Sequence, residues 1–302
     1  MTSLAGNGGR LPEWLRQPRT NWVALHDVKA GLRRLRLHTV CESARCPNIH
    51  ECFGRGAATF MILGDTCTRS CGFCAVPRGR PRALDPGEPE NVARMAADLR
   101  LRYVVITSVN RDELGDGGAA HWADTVRAVR RKLPAARIEV LTPDFCGKLD
   151  ALRTVLAAAP DIFNHNVETV PRLYRQVRPQ ADYRQSLQVL AAARCFAPRF
   201  LIKSGLMLGL GETRTEVEQV LRDLRAAGCD VATLGQYLQP SRNRLPVAEY
   251  LAPEAFEQYR RFGLSLGFRE VFSGPLVRSS YMADRVFESS VAASAAATGS
   301  PA

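Results

Sequence analysis

The chain has 302 residues, a formal net charge of +11 and nine cysteines, with 46% hydrophobic and 24% charged side chains. That is ample material for one large α/β core, and no stretch approaches the roughly 18 consecutive apolar residues of a membrane-spanning helix. The size and the odd cysteine count exclude a small disulfide-stapled domain, and basic residues dispersed along the chain argue against nucleic acid as the partner.

Met1–Thr20 contains Pro12 and Pro18 and no apolar signal core, so it does not read as a secretory signal. Arg10, Arg16 and Arg19 with few acids leave a mitochondrial transit peptide open, although the glycines favour a loose tail. Trp22 and the basic segment Lys29–Arg36 read as a solvated helix face, with contact to a carrier protein as the alternative. Six of the nine cysteines then fall between Cys41 and Cys74. Such crowding points to metal.

Beyond Cys52 a pattern repeats. Thr59–Leu63 is a predicted strand and Glu88–Arg100 a helix with Val92, Met95 and Leu99 on one face. Next come strand Tyr103–Thr107, helix His121–Leu133, strand Ile138–Leu141 and helix Leu149–Ala158. Strand Asp161–Asn166 is followed by helical segments at Pro171–Val177 and Asp182–Phe196, and strand Phe200–Leu208 by helix Thr213–Ala227, which Gly228 ends. Strand Val231–Gln236 and helix Pro253–Leu266 complete the series. Six strand–helix units imply a parallel sheet, closed as a partial (β/α)6 barrel or opened as a doubly wound sheet. Either way the chemistry belongs at the C-terminal ends of the strands. Ser289–Ala302 is Ala/Ser-rich without pattern and reads as a disordered tail.

Cys67-x3-Cys71-x2-Cys74 lies just beyond the first of these strands. Three thiolates can hold three irons of a four-iron cube and leave the fourth open to chelate an amine and a carboxylate. A structural zinc site is the alternative, but it needs four ligands. Cys41-x4-Cys46-x5-Cys52 is a second triplet that also needs a further ligand from elsewhere; His50 within it reads as a surface residue. Among the remaining residues, Cys146, Cys195 and Cys229 read as free buried thiols, His165 as a hydrogen-bonded core residue, and Asp112, Glu113 and Asp116 as a solvated turn.

The first-named triplet resembles the cluster motif of radical S-adenosylmethionine enzymes. Longer strings are similar to the lipoyl synthase family, in the same order: CESARCPNIHECF from Cys41, ATFMILGDTCTRSCGFCAV from Ala58, RYVVITSVNRDEL from Arg102, DGGA from Asp116, FNHNVETV from Phe163, YRQVRP from Tyr174, KSGLMLGLGET from Lys203, LGQYLQPS from Leu234 and VRSSY from Val277. They span the chain from about Trp14 to about Asp284. One departure is Met282, where many members have His after RSSY.

The resemblance implies a fold, ligands and an activity. The fold is a partial (β/α)6 barrel over 57–268, with an N-terminal extension 1–56, a C-terminal segment 269–288 and a tail 289–302. Cys67, Cys71 and Cys74 would hold a radical-generating [4Fe-4S] cluster that binds S-adenosylmethionine. Cys41, Cys46 and Cys52, with Ser280 as fourth ligand, would hold an auxiliary [4Fe-4S] cluster that donates sulfur, and Arg278 would support that segment electrostatically. A serine oxygen is a harder, weaker partner for iron than a thiolate. Gly205-x-Met207-x-Gly209 resembles the strand-and-turn that approaches adenine, while Asn110, Asn166, Glu168 and Gln236 at predicted strand ends are candidate S-adenosylmethionine contacts, with turn or cap hydrogen bonding as the alternative for each.

The implied reaction inserts sulfur at C6 and C8 of an octanoyl-lysine on a lipoyl carrier domain, such as the E2 subunit of a 2-oxoacid dehydrogenase or the glycine-cleavage H protein. The implied partners also include a ferredoxin or flavodoxin as electron donor and an iron–sulfur carrier that rebuilds the auxiliary cluster. A monomer is expected, with no nucleic acid and no membrane, in the cytoplasm, or in mitochondria if the source is eukaryotic. Two alternatives are weighed against it: another radical enzyme of the methylthiotransferase or biotin-synthase type, and a zinc-stabilised nucleic-acid-binding protein. The second cysteine triplet with Ser280 argues against the first, and the missing fourth ligands against the second.

Overall fold

The computed structural model describes residues 11–16, 22–54 and 57–280. Met282, the tail 289–302 and the first ten residues lie outside these, so the expectations made for them are not addressed by the structure.

A 3-10 turn, Glu13–Leu15, leads to helix α1 (Trp22–Arg34), the short strand β1 (His38–Thr39) and two short helices, α2 (Val40–Ser43) and α3 (Ile49–Gly54). Strands and helices then alternate. They are β2 (Thr59–Ile62), α4 (Glu88–Asp98), β3 (Tyr103–Ser108), α5 (Ala119–Lys132), β4 (Arg137–Leu141), α6 (Leu149–Ala157) and β5 (Ile162–Asn164). The series goes on through α7 (Tyr174–Val177), α8 (Tyr183–Phe196), β6 (Leu201–Leu208), α9 (Arg214–Ala226), β7 (Val231–Gln236), α10 (Pro253–Ser265) and β8 (Glu270–Gly274).

The eight strands form one sheet in sequential order, β1 to β8. β1 runs antiparallel to β2 and every later pair is parallel. β1 and β8 are the two ends of the order, so the barrel is partial. The six expected strands are β2 to β7. The sequence reading missed β1 and β8 because each is short or only half-buried, and a half-buried strand carries no continuous apolar run. Glu270–Gly274, which the resemblance places in a segment outside the barrel, pairs with β7 over five residues and is the seventh parallel strand.

Burial explains the order. β2 and β7 are buried at every position, as expected of parallel strands covered on both faces. The helices place their apolar stripes on the sheet: Val217, Val220, Leu221 and Leu224 of α9 are buried, and so are Trp122, Val126 and Val129 of α5. Thr213 caps α9 in a reciprocal capping box with Glu216, which fixes where that helix starts. No helix among the described residues is long and apolar enough to cross a membrane.

Candidate active site

The loop after β2 carries the first cysteine triplet. Leu63 (φ 69°) and Gly64 (φ 93°) both lie in the left-handed region and turn the chain sharply off the strand. Two buried side chains hold the turn. Glu88 accepts the Leu63 amide at 2.8 Å, and Arg111 Nη1 donates to the Leu63 carbonyl at 2.9 Å. Further along, the Gly72 amide donates to the Val177 carbonyl at 2.9 Å, and a Cβ at Gly72 would meet Leu245 Cδ1 at 2.7 Å. The loop is therefore clamped between the segments that follow β5 and β7.

Cys67, Cys71 and Cys74 line one cavity together with residues from the C-terminal ends of β3, β4 and β5. Burial pushes the Cys71 thiol up to about 12, against the opposing charge of Arg178. Burial raises Cys74 as well. Such seats disfavour a bare thiolate and suit one whose charge is taken up by iron. Three N–H donors face the Cys67 sulfur: the Arg69 amide at 3.4 Å, the Asn110 amide at 3.3 Å and Asn110 Nδ2 at 3.8 Å. Hydrogen bonds to ligand sulfur are one of the protein's levers on cluster potential.

Arg69, within the motif, is 5% exposed and bridges two loops. It donates to Asp112 at 2.7 and 3.0 Å and to Asp144 at 2.6 and 2.9 Å. Asp112 is thus an ion-pair partner and not the solvated turn residue expected from sequence. Glu113 pairs with Arg111, and Asp116 caps the start of α5 through the Gly118 and Ala120 amides.

Apolar side chains such as Met61, Phe73 and Val76 share the rest of the lining with polar groups that are under-satisfied. Ser108 Oγ, Asn110 Oδ1, Thr142 Oγ1, His165 Nε2, Asn166 Oδ1 and Arg178 Nε are buried without a hydrogen-bond partner, and all six residues line the cavity. Buried polar atoms are normally paired, so this concentration fits a polar ligand. His165 shows how specific the offer is. Burial, followed by the charge of Arg178, lowers its pKa to about 4, so the ring is neutral. Its Nδ1 donates to the Thr142 carbonyl at 2.9 Å, leaving Nε2 as an acceptor. Beside it, burial raises the Glu168 carboxyl while Arg178 opposes. Glu168 itself has φ 65°, and a bridge to Leu206 holds it there.

Of the residues singled out for S-adenosylmethionine, Asn110, Asn166 and Glu168 line this cavity; Met207 and Gln236 do not. The Gln236 amide is fully engaged, donating to the Leu208, Tyr237 and Glu249 carbonyls and accepting from the Leu251 amide. Arg178 and Arg244 were not picked out by sequence, yet both line the cavity. An arginine in a basic chain gives no signal until the fold buries it.

The second triplet sits on α2, α3 and the turn between them, off this cavity. Burial pushes Cys41 up to about 11, with Cys46 adding to the effect. Burial also raises Cys46, against the nearby Arg278 guanidinium. Arg278, partly buried, is thus close enough to Cys46 for its charge to be felt there. Among the described residues no three His, Cys, Asp or Glu side chains converge as they would on a single ion. A mononuclear zinc site gathers its donors at ~2.3 Å from one centre, whereas a cube gives each thiolate its own iron. Each triplet offers three thiolates, enough for three corners of such a cube, and the first stands beside buried polar atoms that lack partners. Cys229 is a buried thiol as expected, but Cys146 and Cys195 are exposed.

Residues 61–224 match the model of the radical SAM superfamily, and residues 3–46 that of the N-terminal domain of lipoyl synthase. The chain is 58% identical to the lipoyl synthase of Methylococcus capsulatus, over 91% of this chain and 86% of that protein. It is 56% identical to the lipoyl synthase of Rubrobacter xylanophilus, over 92% and 86%. The chain belongs to the lipoyl synthase family. Membership brings S-adenosylmethionine and [4Fe-4S] clusters, the auxiliary cluster included. A solved structure of methylornithine synthase superposes with a TM-score of 0.55 over 83% of this chain and 71% of that one, at 14% identity, which shows a shared fold.

Proposed function

We propose that this chain inserts two sulfur atoms, at C6 and C8, into a protein-bound octanoyl-lysine, with Cys67, Cys71 and Cys74 holding the radical-generating cluster and Cys41, Cys46, Cys52 and Ser280 the auxiliary one. Lipoyl synthesis is the activity named for its relatives, which match over about nine-tenths of the chain. The observation that carries the residue assignment is the cavity that Cys67, Cys71 and Cys74 share with buried, unpartnered polar atoms at the strand ends.

When bound, the clusters supply the electron that cleaves S-adenosylmethionine and the sulfur that is transferred; an unactivated C–H bond leaves no acid–base route, so such cofactor chemistry is required. The chain's own residues bind and orient. Asn110 directs two N–H groups at the Cys67 sulfur. Asn166, Glu168 and neutral His165 offer donors and acceptors to the amino acid and ribose groups of S-adenosylmethionine, and Arg178 and Arg244 offer positive charge to its carboxylate.

The extension 1–56 and the segment after residue 268 then act as the two holders of the auxiliary cluster around a barrel that begins near residue 57. Octanoylated lipoyl carrier domains are the substrates, and acidic surfaces on them would complement the +11 charge. A ferredoxin or flavodoxin as electron donor, an iron–sulfur carrier, a monomeric state and a cytoplasmic location complete the reading. Titrating iron in the reconstituted protein tests the ligand assignment: about eight per chain are expected for two cubes, and zinc at one or two per chain would contradict it.

A further inference from the structure

Lys203 of β6 is completely buried and forms an ion pair with the equally buried Glu139 of β4. The pair belongs to one layer of side chains that crosses four strands. Tyr103 of β3 donates its hydroxyl to Glu139 Oε2 at 2.6 Å, and Asn164 Nδ2 of β5 donates to Glu139 Oε1 at 2.9 Å. Lys203 Nζ reaches both Glu139 oxygens, at 3.0 and 3.1 Å. An ammonium has three donors. The third goes to the backbone carbonyl of Ser279, which lies in the C-terminal segment and not in the barrel.

A buried charge is tolerated when its hydrogen bonds are complete and is costly when one is missing. With Glu139 already taken up, the layer closes through Ser279. Other contacts guide the same segment into place. Asn166 Nδ2 donates to Ser279 Oγ at 3.2 Å, and Asn48, from the loop between Cys46 and Cys52, donates to the Leu276 carbonyl at 2.8 Å. The residue so gripped directly precedes Ser280.

We propose that Lys203 is a positioning residue: by binding the Ser279 carbonyl from inside the barrel, it docks the C-terminal segment and sets Ser280 at the auxiliary cluster. This rests on the assignment of Ser280 made above. The layer thereby couples the barrel interior, where Asn166 also lines the radical site, to the segment that completes the second site.

The test uses the full-length protein with both clusters reconstituted, as wild type, Lys203→Met, Lys203→Met/Glu139→Gln and Ser280→Ala. The double variant removes both buried charges and so keeps a folded sample if the single one collapses. Amide hydrogen exchange is read over residues 275–280, and the reduced auxiliary cluster by electron paramagnetic resonance. The expected result is exchange faster by roughly tenfold or more in that segment, unchanged protection in Tyr103–Ser108, and an auxiliary signal shifted towards that of Ser280→Ala. Wild-type exchange and a wild-type signal in the folded double variant would overturn the proposal. If the Lys203 variants free the segment but Ser280→Ala leaves the signal untouched, the docking stands and the assignment of Ser280 to the cluster falls.

Discussion

Arg69 Nη2 stands 2.6 Å from Asp144 Oδ1, so a residue inside the cysteine motif is tied to the loop after β4. The same guanidinium grips Asp112 beyond β3. Three strand ends are thus pinned to one another beneath the cluster loop, with Arg69 5% and Asp144 0% exposed. Removing one partner of a buried pair typically costs ~3–5 kcal/mol, because the other charge is left behind. Arg69→Met is expected to lower the denaturant midpoint accordingly and to reduce iron retention at the radical site. Arg69→Lys keeps the charge but loses the fork, and is expected to fall between the two.

The same pair predicts an acid limit. Burial alone would raise the Asp144 carboxyl, but the hydrogen bonds and charge of Arg69 override it and hold the pKa at about 2, below its ordinary 3.8. A depressed carboxylate stabilises the fold fully above its unfolded pKa and loses that contribution as pH falls through the folded one. The loss therefore spans roughly pH 4 to pH 2. Urea midpoints measured across that range fall in the wild type; in Asp144→Asn this part of the slope is expected to be absent.

Each cysteine triplet has its own expected signature. Ser in place of Cys41, Cys46 or Cys52 is expected to cost about four of about eight irons and all sulfur insertion, while S-adenosylmethionine cleavage persists. Ser in place of Cys67, Cys71 or Cys74 is expected to abolish cleavage itself. Iron analysis and chromatography of 5′-deoxyadenosine check both.

Gly235 of β7 tests the seat of the C-terminal segment from the other side. A Cβ there would lie 2.0 Å from the Val277 carbonyl oxygen, a backbone atom that cannot swing away. Gly235→Ala is expected to displace the segment and weaken the auxiliary cluster, seen as lost iron at a nearly unchanged melting temperature of the barrel.

Much of this was legible in the sequence, for physical reasons that differ by element. Strands β2 to β7 announce themselves as short runs rich in β-branched and apolar residues that alternate with helical stretches, and α9 because Val217, Val220, Leu221 and Leu224 repeat at helical spacing below a Thr213 cap. The cysteines stand out because clustered thiols are rare. What stayed hidden depends on tertiary contact. β8 has one buried residue, Val271, among half-buried ones, and it pairs along β7. Arg178 is one arginine among many until the fold buries it against Tyr174 and the Asn166 carbonyl. The Lys203–Glu139 pair joins residues 64 apart in the chain, a relation no local pattern encodes. Gln236, placed at a strand end by periodicity, turned out to spend its amide on three carbonyls of its own surroundings.

The most direct test is an anaerobic reaction of the reconstituted protein with S-adenosylmethionine, a strong reductant and an octanoyl-lysine peptide, followed by mass spectrometry. The account predicts a product in which the C–H bonds cut at C6 and C8 have become C–S bonds, seen under the reductant as the dithiol with two sulfurs gained and no net loss of hydrogen, with 5′-deoxyadenosine released. A protein shown to carry both clusters that yields neither product would contradict it.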